Sequence, residues 1–367
     1  MASPPRAPAA LHVIEPTLED YAGHCYGLVR SLCEAANDMR LTLWAGRRAA
    51  NLEFPSNTEL HAHFRRRLRP LQLLLLLRRL LNSCDEPIVL TTAKRTDLVL
   101  ARIAARDTLP PGRLYLYFHW FRDSPAKIAF LRKAATKQPN IAILATTESV
   151  AAIFRSAGFA QVIHAPYPLT AMPAQAEAAQ RSFRHLLYAG AARQDKGFKY
   201  VVDLVELLRE RNMTLPVTVQ VSAEHYGKYD EPTRDQLRRL EGLDYSFLHL
   251  VRDPLAPAGY AELFRGAVCL QPYDREEFKD RVSGVTMDAL TAGAPIVATS
   301  DSWIARQIGP CEAGMTIEDP QAENMLAAAE AIIASYGRYR DNALAAGQTL
   351  RSRSWAPLVS QLRARCP

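Results

Sequence analysis

Pro272-Tyr273-Asp274-Arg275-Glu276-Glu277-Phe278-Lys279-Asp280-Arg281-Val282-Ser283-Gly284-Val285-Thr286-Met287-Asp288-Ala289-Leu290, running on through Thr291-Ala292-Gly293-Ala294-Pro295-Ile296-Val297-Ala298-Thr299, decides how the chain is read. An apolar run at 267–270 ends just before it. A polar loop follows, Ser283-Gly284 opens a short helix, Gly293 closes it, and Pro295 leads into a new strand at 295–298. Strand, loop, helix and strand in that order are one βα unit of a parallel sheet. Small residues at a helix start let backbone N–H groups approach an anion, and the helix dipole favours negative charge there. Ser283, Gly284 and Val285 are therefore candidates for a phosphate cradle. Asp288, about one turn further on, can accept hydrogen bonds from ribose hydroxyls. A capping serine and an exposed acid on an ordinary helix is the plainer alternative.

Some ninety residues upstream a second segment has related chemistry. An apolar run at 186–189 gives way to Gly190-Ala191-Ala192-Arg193-Gln194-Asp195-Lys196-Gly197-Phe198, and a helix pattern follows at 200–210. Two cations three residues apart, between a strand end and a helix start, suit a diphosphate. An Arg and a Lys on a solvated loop would look the same.

The same alternation extends in both directions. Strands are expected at 216–221 and 247–250, and helices at 260–264 and 321–336. The segment 166–180, prolines first and then small polar residues, reads as a linker. Ahead of it, strands are expected at 11–15, 41–44, 88–91, 113–118 and 141–145, with helices at 26–36, 60–81 and 125–137. The fold class is thus α/β, with two Rossmann-like domains joined near residue 175. Neither an internal repeat nor a G-x-G-x-x-G fingerprint is visible.

Bulk properties agree. A chain of 367 residues suits two domains, and 48% hydrophobic with 23% charged residues is the make-up of a folded protein. A net charge of +7 favours anionic partners: nucleic acid, acidic headgroups or phosphorylated substrates. The six cysteines form no CxxC pair and no Cys/His spacing that would close a zinc site, which points to a reducing compartment. The opening residues 1–6 lack a signal-peptide core and read as a disordered tail. The leucine-rich stretch 71–77, broken only by Gln72, is far short of the ~20 residues of a membrane helix. A cytoplasmic protein is expected.

The pairing of GAARQDKGF with a strand–loop–SGVTMDALTAGAPIVAT block resembles the large retaining GT-B glycosyltransferase family often called family 4, or group 1. The resemblance implies two Rossmann-like domains facing a cleft, with the acceptor bound in 10–172 and the nucleotide sugar in 183–345. Residues 346–367 would carry a last helix that crosses back to the first domain, with Trp355 as its aromatic anchor. That family places an Arg and a Lys at the donor phosphates, here Arg193 and Lys196, beside the glycine of the same loop, here Gly190. It also carries two glutamates separated by seven residues, where this chain has Asp280 and Asp288. Asp280 would lie near the donor sugar and Asp288 at the ribose. The implied reaction moves a hexose-type sugar from a nucleotide diphosphate to a hydroxyl acceptor, a polysaccharide or lipid-linked glycan precursor, with retention. No DxD motif sits in a suitable loop, so neither a metal nor any other cofactor is expected.

In the first half, Gly23-His24 follow the first strand, where such enzymes turn a loop toward the donor phosphates; a plain helix entry is the alternative. His119 stands at the carboxyl end of a strand, where open α/β sheets bind ligands, and could hydrogen-bond the transferring sugar. A structural histidine beside Trp120 is the other reading. Thr146-Thr147-Glu148 is a third candidate loop, which helix capping explains as well. The segment 65–81, arginines around leucines, fits either peripheral contact with an anionic membrane or a core helix with solvated arginines. No aromatic-interleaved basic stripe argues for nucleic acid. Two rivals remain: a nucleotide-sugar epimerase of the same fold, and a non-catalytic GT-B-like binding or scaffold protein.

Overall fold

The computed structural model describes residues 10–21, 24–167, 182–221, 229–253, 255–352 and 355–365. The opening tail, Gly23 and nearly all of the expected linker at 166–180 lie outside them. Contacts divide the chain into two units, Met1–Ala171 with Arg353–Pro367, and Met172–Ser352.

The first unit is built on a parallel seven-stranded sheet. Its strands are β1 (Ala10–Glu15), β2 (Arg40–Gly46), β3 (Thr58–Phe64), β4 (Ile88–Leu90), β5 (Leu114–Phe118), β6 (Ala142–Ala145) and β7 (Gln161–His164). They lie in the order β3-β2-β1-β4-β5-β6-β7, so the winding direction reverses between β1 and β4. Successive residues face opposite sides of the sheet. Ile14, Leu90, Leu116, Phe118 and Ile143 pack under α2 (Arg69–Ser83), α3 (Arg95–Ala104), α4 (Pro125–Lys137) and α5 (Glu148–Ser156). Val13, Val89, Tyr115, Tyr117 and Leu144 face α1 (His24–Ala35) and α13 (Ala356–Arg365). The last helix belongs to this unit through Trp355, whose Nε1 donates to Ser31 Oγ at 2.8 Å and whose ring lies 5.2 Å from Tyr117.

One expected element is corrected. Residues 60–81 are not a single helix: Thr58–Phe64 is an edge strand paired in parallel with β2, and the helix begins at Arg69. Pro70 explains the break, since proline is tolerated in a helix's first turn and obstructs its interior.

The second unit holds a parallel six-stranded sheet of β8 (His185–Tyr188), β9 (Val217–Gln220), β10 (Leu248–Val251), β11 (Ala267–Gln271), β12 (Ile296–Thr299) and β13 (Gly314–Ile317). The order β10-β9-β8-β11-β12-β13 is the Rossmann order, with its reversal between β8 and β11. β8, β9, β11 and β12 are almost wholly buried, because helices cover both faces of such a sheet. The helices are α6 (Phe198–Glu210), α7 (Glu231–Glu241), α8 (Pro257–Glu262), α9 (Gly284–Ala292), α10 (Trp303–Ile308), α11 (Ala322–Ala334) and α12 (Tyr336–Ser352). Among the described residues no helix is long and apolar enough to cross a membrane.

Candidate functional site

In open α/β sheets ligands bind beyond the carboxyl ends of the strands where the order reverses. In the second unit that place is the pair of loops leaving β8 and β11. The β8 loop turns at Gly190 with φ +91°, its N–H donating to Gln220 Oε1 at 2.7 Å. A Cβ on Gly190 would meet Lys196 Nζ at 2.9 Å and Val285 Cγ2 at 3.1 Å. The loop then makes a 3-10 turn over Gln194–Lys196 and enters α6 through Gly197 (φ +66°), where a Cβ would strike the Pro272 carbonyl oxygen. Only glycine allows that close approach to the exit of β11. Gly190 and Lys196, at the two ends of one loop, are thereby brought together with Val285, some ninety residues further along the chain.

Lys196 is half-buried, with Nζ 5.3 Å from the Tyr273 ring centroid. Burial, then the Arg193 guanidinium, lowers its ammonium to about 8. Arg193 does not stand alone: its Nε donates to Asp195 Oδ1 at 2.7 Å and a second nitrogen reaches Oδ2. Arg281 also donates to Asp195 Oδ2, at 3.1 Å. Asp288, one turn into α9, accepts from the Tyr260 hydroxyl at 3.0 Å, and burial raises its carboxyl to about 6. Three cations face two acids, so the cluster keeps an excess of positive charge for an anion to neutralise.

The start of α9 serves two purposes at once. Ser283 is the N-cap, accepting from Thr286 N–H at 3.3 Å, as the capping alternative requires. Gly284 is exposed and a Cβ there would meet nothing within 4 Å, so the backbone at the helix start is open. Asp280 is placed differently: it pairs with Arg306 of α10 at 3.1 Å, and Arg306 also donates to the Lys279 carbonyl.

In the first unit the reversal lies between β1 and β4, and a carboxylate fills it. Glu15 is fully buried and accepts from Thr17 N–H at 3.0 Å, from Thr91 Oγ1 at 2.7 Å, and from the hydroxyls of Thr17 and Thr92. His119 Nε2 lies 2.6 Å from the Thr91 carbonyl oxygen, with its ring edge-on to Tyr117 and Tyr167. Thr147 caps α5, and Glu148 pairs with Arg155. His24 opens α1; its side chain lies outside the described residues, like Gly23.

Among the described residues the one His/Cys/carboxylate group close enough to share a metal ion is His12, Cys84 and Glu86, at the amino-terminal end of β4. It suits a cation poorly. Trp44 Nε1 donates to His12 Nδ1 at 3.3 Å, and a guanidinium nitrogen of Arg113 lies 3.6 Å from Cys84 Sγ.

Several participants were not foreseen from sequence. Arg281, Tyr260, Tyr273 and Gln220 are ordinary loop, helix or strand residues until the sheet order brings them in. Glu15 alone left a trace, as an acid ending an apolar strand.

No protein-family model matches the chain, and no curated protein matches its sequence. Solved structures do match. A trehalose-6-phosphate structure from E. coli with UDP-2-fluoro glucose bound shares 13% identity at a TM-score of 0.69, covering 96% of this chain and 99% of that one. Sucrose-phosphate synthase from Thermosynechococcus elongatus shares 14% at 0.68, covering 97% and 98%. HepE of Anabaena, in complex with UDP and glucose, shares 14% at 0.62, covering 98% and 99%. At these identities the likeness is one of fold.

Proposed function

We propose, from the GT-B fold that this chain shares with those proteins, that it is a retaining, metal-independent glycosyltransferase. It would move a hexose-type sugar from a nucleotide diphosphate sugar to a hydroxyl of a polysaccharide or lipid-linked glycan precursor. One observation carries the reading: Gly190, Lys196 and Val285 converge at the strand-order reversal of the second unit, beside the open start of α9. When the bond from the anomeric carbon to the diphosphate breaks, its electron pair stays on the diphosphate oxygen. Lys196, Arg193 and the α9 amides put positive charge where that negative charge grows, the strongest lever of a site that uses no metal. Asp288 would accept from the ribose, Asp280 would lie near the sugar, and His119 and the Gly23-His24 loop would serve the transferring sugar and the phosphates. The donor and the free thiols Cys25, Cys33, Cys84, Cys269 and Cys311 fit a cytoplasmic setting.

The test is thermal stability with UDP, GDP, ADP and CMP, for the parent and for Arg193→Ala/Lys196→Ala. A ligand of the native state stabilises by about 2.7 kcal/mol at a hundredfold excess over its dissociation constant. One diphosphate should stabilise the parent and not the variant, and turnover should survive a chelator. No shift with any nucleotide would sink the proposal. Conversion of the donor with acceptor omitted would point instead to an epimerase. A binding protein is the second reading, favoured by the engagement of Asp280 with Arg306; nucleotide affinity without turnover across acceptors would select it.

A further inference from the structure

Helix α2 is apolar on two faces, and the core of the first unit needs only one. Leu73, Leu76, Leu77 and Leu80 are buried against the sheet, the spacing of one helical face. Leu68, Leu71 and Leu75, spaced i, i+3 and i+7, form a second stripe that is 45%, 55% and 57% exposed. Scattered surface leucines need no explanation, but two a turn apart on one helix, with a third in the turn just ahead of it, do. Around them residues 60–84 contain six arginines, at 65, 66, 67, 69, 78 and 79, and no acid. Arg69 is held by Glu19 at 2.6 Å and Arg79 lies over the Trp44 ring, while Arg65, Arg66, Arg67 and Arg78 are exposed. The adjoining α3 carries exposed Ile103 with exposed Arg102, and exposed Arg106 follows the helix end.

We infer that the outer face of α2 is a docking surface for an anionic lipid bilayer. A leucine stripe bordered by arginines matches a bilayer boundary, where acyl chains take the leucines and lipid phosphates take the guanidiniums. A nucleic acid would use the arginines and leave the leucines in water. An acidic protein would need apolar groups in register with its charges, which a fluid bilayer supplies at any register. The position adds a reason. α2 follows β3, so its basic start lies at the carboxyl-end side of the sheet, and the Arg69–Glu19 pair ties it to the loop that leaves β1 beside Glu15. A docked molecule would hold the ligand-binding end of this sheet near the headgroups. The inference stands apart from the transfer reaction, and its test uses neither nucleotide nor sugar.

The experiment is co-sedimentation of the full chain with phosphatidylcholine vesicles, with and without phosphatidylglycerol, across a salt series. The parent should pellet with the anionic vesicles, remain in solution with the neutral ones, and release as salt rises. Leu71→Ser/Leu75→Ser and Arg67→Glu/Arg78→Glu alter only outward side chains and should keep the parental melting curve. Each should partition at least about tenfold more weakly. A parent that stays in solution with both vesicles, or that binds both equally, overturns the inference. So does parental binding by either variant. Pelleting without vesicles that the leucine variant abolishes would mean that a second copy covers the stripe, and would overturn it too.

Discussion

The ammonium of Lys196 lies where a side chain at residue 190 would begin: a Cβ on Gly190 would stand 2.9 Å from Nζ. The relationship joins the two ends of one loop and makes the smallest residue a condition for the position of the cation. Gly190→Ala should therefore act twice. An alanine at φ +91° costs about 1–3 kcal/mol of strain, read as a lowered urea midpoint. It also pushes Nζ aside, so stabilisation by the nucleotide diphosphate should fall along with stability. Loss of stability with nucleotide affinity intact would show that Lys196 has no part in the site.

The pH dependence of binding should have two limbs. Lys196 is lowered from 10.5 to about 8 in the folded protein, so its positive charge, and the affinity for a diphosphate, should decline as pH rises through about 8. Asp288 is raised from 3.8 to about 6, so a carboxylate able to accept from ribose hydroxyls should form as pH rises through about 6. Affinity measured calorimetrically should peak between the two. Asp288→Asn should remove the acid limb and Lys196→Met the alkaline one. Stability follows opposite signs. Between about 8 and 10.5 the unfolded chain binds more protons at the lysine, so stability from this group rises with pH. Between 3.8 and about 6 the folded chain binds more at Asp288, so its contribution falls as pH rises.

Asp280→Asn separates a role in transfer from a role in structure. The Arg306 pair is exposed, and such pairs contribute about 0–1 kcal/mol, so the melting curve should barely move. If the carboxylate acts at the donor sugar, turnover should drop on the order of a hundredfold while affinity for the free nucleotide is kept. Parental turnover would leave Asp280 as a surface partner of α10 and nothing more.

Trp355 ties the last helix to the first unit. Trp355→Ala removes a fully buried indole and should cost about 3–5 kcal/mol. Ser31→Ala, which deletes the acceptor of Nε1 together with the hydroxyl's own bond to the Leu28 carbonyl, should cost about 1 kcal/mol. Denaturant midpoints of both variants check the ratio. Equal effects would mean that the hydrogen bond rather than ring packing holds the helix.

Much of this architecture is legible because it is local. Apolar runs separated by Gly and Pro mark β8, β11 and β12, and the glycine-bounded loop 190–197 and the small residues 283–285 stand out without any knowledge of contacts. The helix expected over 60–81 failed for an equally local reason. Thr58–Phe64 is a part-exposed edge strand with weak alternation that runs into five consecutive leucines, and Pro70 was the signal that divided them.

Local pattern alone settles the βα alternation, the two-domain layout and the glycine- and serine-marked loops that follow β8 and β11, since each depends on neighbours a few residues apart. The partners of those loops depend on strand order. Asp195 meets Arg281 across 86 positions, Glu15 meets Thr91 across 76 and Tyr260 meets Asp288 across 28. Parallel crossovers put strands side by side that are distant along the chain, and no periodicity records which ones. Burial acts in the same way: the shifts at Lys196 and Asp288 come from desolvation, which exists only once the sheet and its helices have closed around them.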